Sequence, residues 1–262
     1  MSAVLGPLRA AAAGAADLLL PASCNGCGAA EASAGGLCEA CARRLLALVA
    51  LPYCPCCGST LPPNVSPRED GCPNCPSGLP RFGRVVRLGP YTDPLRPAIR
   101  RLKYRRNEEM VRRLGGLLAE AVRTHCGQDP PDLVAPTPMF WLRRWLRGHD
   151  HARCIARAVA RPLGLPFREV LRRTRDTPPQ VNLSRTARLK NIRGAFSVTD
   201  GREVAGSHVL LVDDVTTTGA TACEAARTLR GAGASRVSVA VAAKSERASI
   251  HAAVLARMQE AS

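Results

Sequence analysis

Residues 209–221 read VLLVDDVTTTGAT and place two carboxylates directly after four apolar residues. Asp213 and Asp214 are followed by a valine, three threonines and a glycine, and then by a stretch with the composition of a helix. A loop that enters a helix offers free backbone N–H groups and the positive end of the helix dipole, and both bind anions. Gly219 allows close approach of the backbone. Residues 217–221, which we call the phosphate loop, therefore suit a phosphate monoester.

The carboxylates of Asp213 and Asp214, which we call the acid pair, need a different explanation, because a carboxylate beside a bound phosphate repels it. Carboxylates accept hydrogen bonds from neutral hydroxyls or assist a metal ion, and a sugar phosphate presents hydroxyls and phosphate together. We therefore predict a site that holds a ribose through its diol and its 5′-phosphate. The alternative is a generic acid pair at a strand end, of the Walker B kind. The chain has no G-x-x-x-x-G-K-[ST] sequence, which disfavours a P-loop nucleotidase.

A second group of reactive side chains lies near the amino terminus, where nine of the twelve cysteines fall between residues 24 and 75. Eight of them form four C-x-x-C pairs, and Cys56 is the odd thiol. The pairs are Cys24 with Cys27, Cys38 with Cys41, Cys54 with Cys57, and Cys72 with Cys75. Two such pairs, separated by 10 or 14 residues, supply the four thiolates of a tetrahedral structural zinc site. The sequence therefore predicts one or two bound zinc ions.

Two alternatives remain for these pairs. A disulfide framework needs an oxidising compartment, but Gly14 and Asp17 interrupt the apolar run that a signal peptide would need. A redox C-x-x-C pair is the other alternative, although four pairs in tandem argue against it. The apolar run is also too short to span a membrane. We predict a cytoplasmic protein without membrane insertion and a short amphipathic helix over residues 3–20.

The elements that must position these residues alternate between strands and helices after residue 81. The predicted strands are 84–88, 132–135, 170–173, 209–212 and a last strand around 237–241; the predicted helices are 94–106, 108–125, 140–163 with a break near Gly148, 183–191 and 219–231. This alternation predicts an α/β domain with a parallel sheet whose ligands bind at the carboxyl ends of the strands. We expect a zinc-binding module over residues 1–80 and the α/β domain over residues 81–262.

The chain has a formal net charge of +16, because 34 arginines and 3 lysines stand against 21 acidic residues. The basic residues are spread along the chain, which favours an anionic partner such as pyrophosphate or nucleic acid. A solvated arginine-rich surface is the alternative. Trp141 and Trp145 stand four residues apart among arginines. They are candidates either to stack bases of single-stranded DNA or to pack on the sheet.

Together these motifs resemble the phosphoribosyl pyrophosphate (PRPP) signature of type I phosphoribosyltransferases, and the preceding cysteine module narrows the resemblance to the ComF family of competence proteins. The resemblance extends over nearly the whole chain. It includes LKY at 102–104, PTP at 136–138, LRRTRDTPPQ at 171–180 and LKNIRGAF at 189–196. It implies a parallel-sheet, Rossmann-like phosphoribosyltransferase fold preceded by a double zinc ribbon. One departure is GHDH at 148–151, where the family usually has GFNQ.

The resemblance also implies roles for individual residues. The acid pair would contact the ribose hydroxyls, the phosphate loop the 5′-phosphate, and residues 136–139, which we call the pyrophosphate turn, the pyrophosphate. Mg²⁺ would bridge pyrophosphate and sugar oxygens, and a mobile loop over 174–180 would close over the site. The implied catalytic residues are Asp213, Asp214, Arg173 and Arg175. The implied PRPP-binding residues are Asp213, Asp214, Thr216, Thr217, Thr218, Gly219, Ala220, Thr221, Pro136, Thr137, Lys103 and Arg144.

The activity that the resemblance implies is transfer of a phosphoribosyl group from PRPP to an unidentified acceptor, with release of pyrophosphate, in a protein linked to DNA uptake. The alternative is a module without catalysis, which senses PRPP or a nucleotide, holds single-stranded DNA or docks a competence helicase. The intact acid pair favours PRPP binding in either case.

Overall fold

The computed structural model describes residues 23–30, 36–62, 65–66, 68, 71–75, 82–102, 107–140, 150–175, 191–246 and 250. The helices whose bounds it defines are α1 (Glu39–Val49), α2 (Leu95–Leu102), α3 (Glu108–Cys126), α4 (His151–Leu163) and α5 (Ala220–Gly231). The strands are β1 (Arg84–Pro90), β2 (Leu133–Pro136), β3 (Leu171–Arg173), β4 (Phe196–Val198), β5 (His208–Thr216) and β6 (Arg236–Lys244).

Four of the strands form one parallel sheet in the order β1-β6-β5-β2. β5 is an inner strand, with β2 on one side and β6 on the other. β3 and β4 form a separate antiparallel pair. This arrangement confirms the predicted α/β class with a parallel sheet.

Alternate residues of β5 enter two separate hydrophobic cores. Leu210 and Val212 pack in the core that contains α2, α3 and α4, whereas Val209 and Leu211 pack in the core that contains α5. All four side chains are fully buried. A strand covered on both faces must be apolar at every position, which explains the uninterrupted run before the acid pair.

The amino-terminal module shares one of these cores. Leu45 and Leu48 of α1 are buried in the same cluster as Val86 of β1, and a helix of 11 residues depends on such packing for its stability. The N–H of Val85 also donates to the carbonyl oxygen of Pro55 at 2.6 Å. The core therefore crosses the boundary expected near residue 81, and the division into two domains stays a prediction.

β5 is longer than predicted, and two of the described elements were not predicted. β5 does not end before the acids but continues to Thr216, because β6 runs alongside it and pairs Asp213 with Val241 and Thr216 with Lys244. α1 and β4 have no counterpart among the predicted elements. β4 has only three residues and is held by pairing with β3, so its own sequence gives little signal.

Of the remaining predicted helices, some are confirmed and the others lie wholly or partly outside the described residues. α2, α3, α4 and α5 confirm the predicted helices over their described parts. Outside the described residues lie the helix predicted at 3–20, the end of the helix predicted at 94–106, residues 141–149 with both tryptophans, and most of the helix predicted at 183–191. Among the described residues, no helix is long and apolar enough to cross a membrane.

A buried carboxylate attaches the β3–β4 pair to α5. Glu224 is 7% exposed, and its Oε1 accepts the backbone N–H of Gly194 at 2.7 Å. The Arg227 guanidinium donates to both carboxylate oxygens, at 2.6 and 2.9 Å. Burial raises the pKa of Glu224, but the hydrogen bonds from Arg227 and Gly194 outweigh it, so the pKa is lowered.

We predict that Glu224→Gln lowers the free energy of unfolding by about 1–3 kcal/mol at neutral pH, because the charge-assisted bonds to Arg227 are lost. The folded-state pKa lies below the ordinary value of 4.5. The carboxylate therefore stabilises the fold above pH 4.5, and this contribution is lost as the pH falls from 4.5 towards the folded-state pKa. Urea unfolding of both proteins should show a difference that shrinks in acid. Glu203→Gln, which removes an exposed ion pair with Arg168, is the control and should change little. A difference independent of pH would contradict the prediction.

Candidate active site and zinc-binding module

The carboxyl ends of β2 and β5 bring the predicted ribose and pyrophosphate residues together. Pro136, the last residue of β2, pairs with Val212 of β5. Thr137 follows, and its backbone N–H donates to the carbonyl oxygen of Val212 at 2.8 Å. The pyrophosphate turn therefore begins beside Asp213, at the sheet edge where parallel α/β folds bind their ligands.

The acid pair is half-buried and tightly held. The Oδ1 atom of Asp213 accepts the N–H of Asp214 at 2.9 Å, and that of Asp214 accepts the N–H of Val215 at 2.7 Å. Burial, followed by the charge of Asp214, raises the pKa of Asp213 well above its ordinary value. Such a pair gains stability from a cation or from hydroxyl donors, and Mg²⁺ and a ribose would supply these.

Asp150 is a third acid near this pair, to which the sequence assigned no role. It caps α4, and its carboxylate accepts the N–H of Arg153 at 3.0 Å. Its charge also contributes to raising the pKa of Asp213, so it lies within electrostatic reach of the acid pair. The signal in the sequence was the departure at 148–151, where an aspartate stands in the position of the family's usual asparagine.

The phosphate loop joins β5 to α5 with the geometry of an anion site. Gly219 precedes α5 in the left-handed conformation, with φ of 76°, and as a glycine it has no side chain with which to cap the helix. The Thr218 hydroxyl accepts the N–H of Ala220 at 3.4 Å. Other N–H groups of the first turn have no partner within the helix, and the helix dipole favours an anion there. Thr217 is exposed, while Thr216 and Thr221 are partly exposed.

Thr137 provides an independent sign of a polar ligand. Its side chain is buried, and its Oγ1 atom has no hydrogen-bond partner among the described residues. Buried hydroxyl groups almost always have such a partner in folded proteins. A pyrophosphate oxygen at the pyrophosphate turn would be a suitable acceptor. The residues at this edge therefore fit a sugar phosphate with its Mg²⁺.

Arg173 and Arg175 lie beside β4. The guanidinium carbon of Arg173 is 5.7 Å from the centre of the Phe196 ring. Arg175 donates to the carbonyl oxygens of Asn191 and Arg193, at 3.3 and 3.0 Å. These contacts hold both arginines near the entry to the predicted mobile loop, and their catalytic role stays a prediction. Lys103, Arg144 and residues 176–180 lie outside the described residues.

The C-x-x-C cysteines form two groups of four, as the spacing predicts. The first tetrad is Cys24, Cys27, Cys38 and Cys41, and the second tetrad is Cys54, Cys57, Cys72 and Cys75. Within each tetrad all sulfur atoms lie within 4.8 Å of one another. The Sγ–Sγ distance is 3.7 Å between Cys27 and Cys38 and 3.6 Å between Cys54 and Cys75. A tetrahedron with Zn–S bonds of about 2.3 Å has edges of about 3.8 Å, whereas a disulfide bond is about 2.05 Å long. Both tetrads fit structural zinc, and neither contains a disulfide.

Hydrogen bonds shift the pKa values of individual sulfur atoms in the tetrads. The backbone N–H groups of Gly26 and Cys38 donate to Cys24 Sγ at 3.3 and 3.2 Å. Burial raises the pKa of Cys24, but these N–H groups outweigh it and lower the pKa to about 6. The hydrogen bond with Cys54 lowers the pKa of Cys57 to about 4, and the same bond raises the pKa of Cys54. These contacts therefore favour the thiolate at one sulfur of a pair, and a bound zinc ion would stabilise the remaining thiolates.

The parallel sheet, the acid pair and the phosphate loop define a phosphoribosyltransferase-type domain, preceded by a double zinc ribbon. Residues 150–256 match the phosphoribosyl transferase domain family, and residues 15–76 match the double zinc ribbon domain family. The chain is 33% identical over 210 residues to competence protein F of Haemophilus influenzae. The aligned region covers 78% of this chain and 88% of that protein. It is 34% identical over 208 residues to the DNA utilization protein YhgH of Escherichia coli K12, with the same shares covered. The chain belongs to the competence protein F (ComF) family, which confirms the resemblance.

We predict that the purified protein contains about two zinc ions per chain, one in each tetrad. Cys54→Ser should lower the zinc content by about one ion, because it removes a ligand of the second tetrad. Cys56→Ser is the matched control: Cys56 is buried in the same turn but lies outside the tetrad, so both ions should remain. Elemental analysis of the three proteins measures the content. Loss of zinc from Cys56→Ser equal to that from Cys54→Ser would contradict the assignment of ligands.

Proposed function

We propose that the protein binds Mg²⁺–PRPP at the carboxyl edge of β2 and β5 and transfers its phosphoribosyl group to an acceptor, with release of pyrophosphate. One observation carries this proposal: the acid pair, the phosphate loop and the pyrophosphate turn converge at a single sheet edge. Each would hold a different part of PRPP, namely the ribose hydroxyls, the 5′-phosphate and the pyrophosphate.

In the proposed reaction the bond between ribose C1 and the pyrophosphate oxygen breaks, and the acceptor forms a bond to C1 and loses its proton. Positive charge develops on the sugar ring as pyrophosphate departs, and the loop over 174–180 would exclude water from this centre. Arg173 and Arg175 lie at the start of that loop, where guanidinium groups would donate to the departing pyrophosphate. Bound Mg²⁺ would supply neutralising charge at the pyrophosphate oxygens.

The names of the relatives support a role in DNA uptake or use. Competence protein F and the DNA utilization protein YhgH are each matched over 88% of their length and over 78% of this chain, so the similarity extends beyond the transferase-type domain into the zinc module. We further propose that the protein acts in the cytoplasm, because its tetrads need reduced thiols.

Binding of single-stranded DNA without catalysis is the second candidate function. The formal net charge of +16 favours it, since arginines and lysines neutralise backbone phosphates whatever the DNA sequence. PRPP or a nucleotide would then act as a signal, and a competence helicase would be a partner. The acid pair has a clear part in the first candidate and none in DNA binding, which separates the two experimentally.

The double variant Asp213→Asn/Asp214→Asn should bind Mg²⁺–PRPP at least about tenfold more weakly than wild type, because each lost charge-assisted hydrogen bond costs about 1.5–3 kcal/mol. Isothermal titration calorimetry measures the affinity. Asp200→Asn is the control for loss of an acid: this residue is exposed, and its carboxylate accepts the N–H of Arg202 at 2.8 Å. It should leave the affinity unchanged. Undiminished binding by the double variant would mean that PRPP binds at another site.

Single-stranded DNA should bind wild type and the double variant with similar affinity, because the acid pair does not contact the DNA backbone in either candidate. The affinity should fall at least about tenfold between about 50 and 200 mM salt, as expected for phosphate contacts.

Pyrophosphate release from PRPP, measured in parallel with a panel of acceptors, should occur with wild type and stop in the double variant. DNA binding without pyrophosphate release by wild type would favour the second candidate.

A further inference from the structure

Lys244 is a buried cation next to the phosphate loop. It ends β6, is 8% exposed and is one of three lysines in the chain. Its ammonium group donates to the backbone carbonyl oxygens of Thr217 at 2.5 Å and of Ser245 at 2.9 Å. Burying an ammonium group is unfavourable unless specific partners compensate for the lost water. Here one partner is the backbone of the phosphate loop itself.

The bond to Thr217 fixes the orientation of one peptide unit. In a trans peptide the carbonyl oxygen and the following N–H point in opposite directions, and the peptide between Thr217 and Thr218 is trans. Because the Thr217 oxygen faces Lys244, the Thr218 N–H faces away from it. This N–H lies just before Gly219 and α5. It adds a donor to the backbone N–H groups that suit the loop to an anion.

The segment that carries Lys244 is also attached to the zinc module. The Oε1 atom of Glu246 accepts both the N–H and the hydroxyl of Thr60, each at 2.8 Å. Thr60 follows the first C-x-x-C turn of the second tetrad. The N–H of Ser245 donates to the carbonyl oxygen of Thr216 at 2.8 Å. Residues 244–246 thus contact the phosphate loop on one side and the second tetrad's turn on the other.

Two further features support this connection. Arg87, a buried residue of β1, donates to the Thr60 hydroxyl at 2.8 Å, which fixes the side chain that Glu246 holds. A cavity of about 320 Å³ lies between the module and the loop, lined by Cys57 on one side and by Thr217 on the other. Beside this space, the hydrogen bonds of residues 244–246 connect the second tetrad's turn directly to the phosphate loop.

We propose that Lys244 is a positioning residue for the sugar-phosphate site and that the second tetrad supports it through the contact between Thr60 and Glu246. The inference rests on the proposed function, because it takes the phosphate loop as the binding site of the 5′-phosphate. The first tetrad is attached differently: Arg101 of α2 donates to the carbonyl oxygen of Cys24 at 2.5 Å. Disturbing the second tetrad's contact should therefore weaken sugar-phosphate binding, whereas disturbing the first tetrad's contact should not.

The test compares two ligands by isothermal titration calorimetry. Ribose 5-phosphate depends on the phosphate loop, and pyrophosphate with Mg²⁺ depends on the pyrophosphate turn. Lys244→Met should weaken ribose 5-phosphate binding about tenfold, since a charged hydrogen bond to the loop is lost. Pyrophosphate binding should stay within about twofold. Lys244→Arg should restore most of the affinity, because a guanidinium group can donate to the same carbonyl oxygen.

Two more variants test the link to the zinc module. Glu246→Ala should weaken ribose 5-phosphate binding about threefold, and Arg101→Gln, the matched control at the first tetrad, should have no effect on either ligand. Undiminished ribose 5-phosphate binding by Lys244→Met overturns the inference. So does an equal loss for both ligands, which would indicate a general effect on the fold. If Lys244→Met does not fold, the same comparison with Glu246→Ala decides. A wild-type protein that binds neither ligand overturns the proposed function as well.

Discussion

The parallel pairing of β5 with β6 is the contact on which both the core and the candidate site depend. The ladder runs from His208 opposite Arg236 to Thr216 opposite Lys244. One hydrogen-bond register therefore fixes the buried valines and leucines, the acid pair and the first residue before the phosphate loop. The acids are held by strand geometry rather than by a flexible loop, which suits groups that must meet a sugar in a defined orientation.

The candidate site concentrates negative charge in a strongly basic chain. The formal net charge is +16, yet Asp213 and Asp214 are neighbours near the end of β5, and the charge of Asp150 also acts on Asp213. The net positive charge of the chain attracts an anionic ligand from a distance, while the acids at the site favour hydroxyl groups and a cation. A ligand that carries phosphates, hydroxyls and a divalent cation satisfies both requirements, and a nucleic-acid backbone satisfies only the first.

Much of this site could be predicted because its parts are neighbours in the chain. The strand, the acids, the threonines, the glycine and the helix follow one another without interruption in residues 209–231. The spacing within each C-x-x-C turn likewise places two cysteine ligands close together. Contacts between distant residues could not be predicted. Lys244 donates to Thr217, 27 positions away in the chain, and Asp150 acts on Asp213 from the start of α4, which packs beside β5. The helical spacing of the buried Leu45 and Leu48 was a signal for α1, but α1 begins inside one C-x-x-C pair and ends before the next, and these pairs are interpreted as metal-binding turns alone.

The hydrogen bond from Val85 to Pro55 has a consequence for the behaviour of the whole molecule. β1 is the outermost strand of the described sheet on its side, and an outermost strand with free N–H groups can add a strand from another molecule. The carbonyl oxygen of Pro55, which lies inside the first C-x-x-C turn of the second tetrad, accepts one of those N–H groups, that of Val85. The metal-binding turn therefore covers the first part of this sheet edge. By holding the turn in place, zinc would also keep that part of the edge from pairing with another molecule.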